Sequence, residues 1–158
     1  MILQQYQAID REAIWAALFA WFQSQLGTSF KTIGRKHVAP PELTIPDQPA
    51  LFQIAAREGH IQKVPGAPAK IVLHGFLIVY AFGPVVQEDV GAETELGETL
   101  LNNLLQAIDA ALVPDDPVTG KFTIGGLVTH CWIEGDTDLD PGIFGSQAAA
   151  LLPLSILV

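Results

Sequence analysis

Residues 70–82 read KIVLHGFLIVYAF, the longest nearly unbroken run of strand-forming residues in the chain. In an extended strand, Ile71, Leu73, Leu77, Val79 and Ala81 point to one side, and Val72, Phe76, Ile78, Tyr80 and Phe82 to the other. Successive side chains alternate, so a strand apolar on both faces is one that is covered on both sides and sits inside a sheet. A buried helix is the competing reading, but the β-branched and aromatic content with Gly75 inside favours the strand. At roughly 3.3 Å per residue the run spans about 40 Å, long for a small domain, and such a strand often leaves the body as one arm of a hairpin.

The rest of the chain supplies what pairs with this strand or lies across it. Residues 8–26 read as a helix, with Asp10 placed as N-cap and Gly27 as its stop. Ile14, Leu18, Trp21 and Phe22 form a stripe that Trp15, Phe19 and Leu26 widen until the middle is apolar almost all round. A helix of this kind is buried on more than one side, either wholly within its own core or between the sheet and a neighbouring subunit. Leu96, Leu100, Leu101, Leu104, Leu105, Ile108 and Leu112 give a second helix over 93–112 one apolar face, with Glu93 and Glu95 in its first turn and Pro114 ending it. Strands are expected near 30–37, 51–57, 70–82, 122–134 and 150–157. A proline-rich stretch follows the first, a long loop fills 58–69, and turns are expected at 83–91 and 113–120. Gly125 and Gly126 mark a bulge or bend, and Pro153 an edge or an irregularity. The class is α+β, a single domain over 1–158 with one mixed or antiparallel sheet of about five strands and two helices packed on it, in the order α-β-β-β-α-β-β.

Charge is distributed unevenly. The net charge is −9. Up to Lys70 there are seven basic and five acidic residues, and beyond it one basic and twelve acidic. That balance argues against general nucleic-acid binding. Opposite signs on opposite faces suit head-to-tail association, although a mosaic surface without function has the same composition. The amino terminus lacks the basic region of a secretory signal, and residues 148–158 are too few to span a bilayer, so neither export nor a membrane anchor is expected. The single cysteine, Cys131, can form no internal disulfide, in keeping with a reducing compartment.

No catalytic motif is present. Ser146 follows Gly145, but the second glycine of a nucleophile elbow is missing. His37, His60, His74 and His130 are scattered without the spacing of a zinc site, and His130 and Cys131 fall on opposite faces of a strand. Asp136, Asp138 and Asp140 have the spacing that begins a calcium loop, but the glycine is displaced and Gln147 stands where a bidentate glutamate is needed. A solvated acidic loop over 135–145 is the simpler reading. No cofactor, metal or catalytic residue is expected.

The blocks REAIWAALFAWF, SFKTIGRK, QPALFQ, LGETLLNNLLQAIDAAL, PDDPVTG, FTIGGLVTHCWIEGDT and GSQAAALLPLSILV, in this order, make the chain similar to the tail terminator proteins of long-tailed bacteriophages, also called tail completion or minor tail protein U-like proteins. The resemblance covers nearly the whole chain and rests on layout and short apolar blocks. It implies a virion or prophage protein without enzymatic activity, assembled in the bacterial cytoplasm. Such a protein forms a ring, most often a hexamer, that caps the tail tube, ends its polymerisation and offers a surface for head–tail joining. Its partners would be further copies of itself, the tail tube protein and a head-completion or connector protein, with no nucleic-acid specificity and no membrane. Other neck, connector or tail-tube proteins share these features, and a small α+β enzyme or ligand-binding domain is the alternative from a different class. The family carries no residue-by-residue signature, so the contact residues are read from charge and loops. They are Trp15 and Phe19 on the wide helix, the basic set Lys31, Arg35, Lys36, Arg57 and Lys63, and the acidic set Asp136, Asp138 and Asp140.

Overall fold

The computed structural model describes residues 8–83, 90–142 and 146–158. Helices α1 (Arg11–Leu26) and α2 (Val90–Ala111) accompany strands β1 (Thr32–Gly34), β2 (Ala50–Ile61), β3 (Lys70–Phe82), β4 (His130–Ile133), β5 (Asp138–Asp140) and β6 (Gln147–Leu157). The sheet runs β1-β2-β3-β6-β4, with β5 also paired to β6. Among the described strands only the β1–β2 pair is parallel. The fold is α+β, and β3 is its central strand, as its two-sided apolar pattern requires.

Local chemistry sets the element ends. The Asp10 carboxylate accepts a hydrogen bond from the Ala13 amide at 3.0 Å and caps α1. Trp21 Nε1 donates to the Ala111 carbonyl at 2.7 Å, so α1 satisfies an end carbonyl of α2. Both helices lie on one face of the sheet. Ile14, Trp15, Leu18 and Phe22 of α1 and Leu101, Leu104 and Ile108 of α2 share one buried cluster with Leu73, Leu77, Val79, Leu152, Leu154 and Ile156. Gly75 allows the close approach: a Cβ there would stand 2.5 Å from the Ile54 carbonyl oxygen and 2.9 Å from Trp15 Cη2.

Four details differ from the expectation. The long strand does not leave the body as a hairpin arm, because β6 accompanies it from Val72 to Phe82. The hairpin loop is shorter than 58–69, since β2 continues past a bulge at Ala55/Arg57 and pairs as far as Ile61 with Lys70. Residues 122–129 form a loop rather than the first half of a strand. Ile124, Gly125 and Gly126 all have positive φ, which no strand accommodates. Finally, β5 is an added strand. Pro153 lacks an N–H, and on the side facing β4 it can only accept, from the Glu134 amide at 3.0 Å. The strand beside β6 therefore breaks, β4 ending opposite Leu154 and β5 resuming opposite Leu151. The turn expected at 83–91, the side chains of Glu93, Glu95 and Leu96, and residues 143–145 of the acidic loop fall largely outside the described residues.

Among the described residues, no helix is long and apolar enough to cross a membrane. Replacing Gly75 with Ala should cost about 1–3 kcal/mol by overpacking, and Leu104→Ala about 2–5 kcal/mol by opening a cavity. Urea unfolding of each variant measures both; an unchanged midpoint for Leu104→Ala would contradict the packing of α2.

Candidate functional site: the uncovered face of the sheet

The second face of the sheet is the unusual part of the molecule. Along β3 it carries Val72, His74, Phe76, Ile78 and Tyr80, and the cross-strand partners on β6 are Leu157, Ser155, Pro153, Leu151 and Ala149. The expectation that β3 is covered on both sides is met on this face at Val72, which is 6% exposed, and at one corner. There Val38 and Leu43 pack on Ala50, Phe52, Ile54, Ile78 and Tyr80. His37 Nε2 lies 2.7 Å from the Tyr80 hydroxyl with the two rings stacked. Gln48 and Gln147 exchange amide hydrogen bonds of 2.9 and 2.8 Å across the same end. Beyond this corner Phe76 is 36% exposed, and Leu151 and Pro153 are half-buried. One hollow is lined by Ile78, Tyr80, Asp138, Leu139, Asp140 and Leu151, and another by Arg57, His74, Phe76, Glu134 and Pro153.

A polar chain crosses the lower part of this face. Ser155 Oγ donates to Glu134 Oε2 at 2.7 Å and lies 3.1 Å from His74 Nδ1. With its own proton committed to the carboxylate, the hydroxyl accepts from His74, which fixes the Nδ1–H tautomer. The serine thus stands between the carboxylate and the imidazole, and it is only 2% exposed. In a nucleophilic triad the imidazole stands between the hydroxyl and the acid. The arrangement satisfies a buried hydroxyl and ties β3, β6 and the end of β4 together. His130 and Trp132 stack beside it with centroids 4.7 Å apart.

The structure separates the residues expected to make contacts. Trp15 is in the core at 7% exposure, seated against Gly75, and Phe19 is half-buried, with Ala13, Ala16 and Ala20 exposed on the outer side of α1. Lys31 and Lys36 are exposed beside β1, at one edge of the sheet. Arg35 is engaged internally, its guanidinium donating to both carboxylate oxygens of Glu12 at 2.6 and 3.1 Å. Arg57 lies on the uncovered face opposite His74, and Lys63 is in the hairpin loop. Asp138 and Asp140 project from β5, at the opposite edge from β1, and Asp136 precedes them. Among the described residues, no three His, Cys, Asp or Glu side chains converge as a cation site. An extended strand also directs Asp138 and Asp140 outward rather than around a calcium-loop centre.

Sequence reasoning missed Phe76, Pro153, His74, Ser155 and Glu134 as one surface. The signal was present in the two-sided apolar alternation of 70–82, which asks for more cover than the two helices provide. The same limit applies to Asp115. Its carboxylate accepts from the Thr123 amide and hydroxyl at 2.7 and 2.9 Å and from the Gly125 amide at 2.8 Å, holding the left-handed turn in place.

No protein-family model matches the chain, and no curated protein matches it.

Two chemical predictions follow from burial and hydrogen bonding. Burial pushes the Cys131 thiol up to about 12, so at mild alkaline pH it should not react with a thiol reagent until the protein is unfolded. A fast reaction in native protein would contradict its place in the core. Desolvation, the largest single influence on Asp115, raises its carboxyl, but the bonds from Gly125 and Thr123 together outweigh it and hold the group below the usual range. A lowered folded-state value means that the contribution is present above the ordinary carboxylate range and disappears as pH falls through the lowered value. Asp115→Asn should therefore be less stable than wild type at neutral pH, with the difference shrinking in acid.

Proposed function

We propose that this chain is a structural subunit of a phage or prophage tail, a tail terminator that closes into a ring at the end of the tail tube. The observation that carries the reading is the incomplete cover of the central strand. Both helices are used on one face, and the other face leaves Phe76, Ile78, Leu151 and Pro153 without helical cover. An assembly subunit covers such a surface with a partner.

The two sheet edges support head-to-tail closure. A ring requires one patch to meet a different patch on the next subunit. Lys31 and Lys36 flank one edge, and Asp136, Asp138 and Asp140 the opposite one. Charges at such a rim set register and encounter rate, and apolar contact supplies affinity. In this reading the ring joins copies edge to edge and leaves the uncovered face to the tail tube or the head-completion protein. The buried position of Ser155 and the order of its hydrogen bonds favour this over a hydrolytic function.

The test is assembly on cognate tail tubes, followed by electron microscopy and light scattering. Wild-type protein should cap the tubes as rings and stop their growth. Lys31→Glu/Lys36→Glu should reduce ring formation, and adding Asp136→Lys/Asp138→Lys should partly restore it. Rings that form equally well in the lysine variant at low and high salt would remove the edge-to-edge contact. Tubes that elongate unchanged in the presence of wild-type protein would remove the terminator reading.

A further inference from the structure

We propose that the free edge of β2 pairs with the same edge of a second copy, antiparallel, about a two-fold axis that passes through Gly59 perpendicular to the sheet. β1 accompanies β2 only to Phe52, and β2 runs on to Ile61 with β3 on its other side. The direction of the free backbone groups follows from the ladder. The Val158 amide donates to the Ile71 carbonyl and the Gly83 amide to the Ser146 carbonyl, so the odd-numbered residues of β3 bond to β6. Its even-numbered residues therefore bond to β2, meeting Arg57, Gly59 and Ile61 beyond the bulge. That directs the N–H and C=O of Glu58 and His60 off the sheet, where they have no backbone partner among the described residues. Such an edge is a template for another extended strand.

The register argues for a second copy as the occupant. Groups directed outward must meet groups directed outward. With the axis at Gly59, Glu58 exchanges both backbone bonds with the partner's His60, and His60 exchanges them with the partner's Glu58. On the helix side of the sheet each Glu58 then stands between its own Arg11, with which it forms an ion pair, and the partner's His60. On the other face the two glycines meet at the axis. Arg57 lies opposite the partner's Ile61, an exposed apolar side chain that its aliphatic stem covers. An axis at Glu58 would set Glu58 against Glu58, and one at His60 would set Arg57 against Lys63. Larger shifts run into the bulge at Ala55/Arg57 or off the end of the strand. α1 begins beside Glu58, and the chain after it bonds through the Lys31 amide to Pro49, so the axis carries the two helices away from each other. Beyond Ile61 the chain leaves the edge for β3. The contact has few backbone bonds and little apolar area, so the dimer is reversible. It does not depend on the ring reading. It takes the side of the sheet on which Lys31 and Lys36 lie, so a paired subunit has no room for a ring neighbour there.

Cysteine cross-linking of the full chain, with sedimentation velocity from micromolar to millimolar concentration, tests this. Wild type should show a monomer–dimer equilibrium. The two Gly59 positions form a non-hydrogen-bonded pair with Cα atoms about 4.5 Å apart, within disulfide reach. A Cβ at Gly59 would meet no atom nearer than His74 Nε2 at 3.5 Å, so Gly59→Cys should fold and give a linked dimer on mild oxidation. Ile61→Cys, roughly 14 Å from its counterpart in this register, should not. Cys131 is buried and does not compete. His60→Pro removes an outward N–H and leaves the ladder to β3 intact, so it should weaken dimerisation at least about ten-fold. Glu58→Lys and His60→Glu should each weaken it a few-fold, and the two together should restore it. Circular dichroism checks the fold of each variant; the cysteine and charge variants carry the test if His60→Pro does not fold. A wild type that is monomeric throughout, equal cross-linking of the two cysteine variants, or a dimer indifferent to His60→Pro and to both charge changes would overturn the inference.

Discussion

The structure depends on the pairing of β3 with β2 on one side and β6 on the other. Three long strands in antiparallel register, from Ala50 to Ile61, Lys70 to Phe82 and Gln147 to Leu157, make the rigid centre to which everything else is attached. Their alternation presents apolar side chains to both faces, and each face needs cover. The described residues form two α-helices, and the Gly75–Trp15 contact and the Trp21–Ala111 hydrogen bond draw both to the same side. What remains for the other face is the proline-rich segment with Val38 and Leu43, enough for one corner. The uncovered remainder follows from this shortage of elements.

The buried serine hydroxyl on that face is paired on both sides. A buried hydroxyl lacking a partner costs on the order of 1–3 kcal/mol, and the Ser155 hydroxyl has two, Glu134 and His74. The break in the strand beside β6 is likewise absorbed. The missing donor of Pro153 faces β4 and β5, so the ladder to β3 is uninterrupted while the outer strand shifts register. That shift places β5, with Asp138 and Asp140, at the edge opposite Lys31 and Lys36. The charge segregation visible along the chain thus becomes segregation across the sheet.

Much of the architecture was legible in the sequence, because it follows from local periodicity. The two-sided pattern of 70–82 identified the central strand, the leucine stripe identified α2, and Asp10 identified the start of α1. What was not legible depended on contacts distant in sequence. Nothing near residues 122–126 announces that Asp115 will hold them in a left-handed turn, so a run with Phe122 and Ile124 reads as strand. Trp15 and Phe19 suggested a second exposed surface on α1, whereas Gly75 on β3 makes the room that takes Trp15 inward. The uncovered face was missed for the same reason: periodicity shows that a strand needs cover, and only the fold shows which side goes without it.

We propose that this uncovered face is where the protein meets another molecule. Hydrogen–deuterium exchange on capped and free tail tubes, compared with the free subunit at low concentration, tests it most directly. The account predicts new protection confined to β2, β3, β5 and β6 around Ile54, Phe76, Ile78 and Leu151, with α1 and α2 unchanged. Protection that falls on the outer surfaces of the helices, and leaves these strands as in the free subunit, would contradict it.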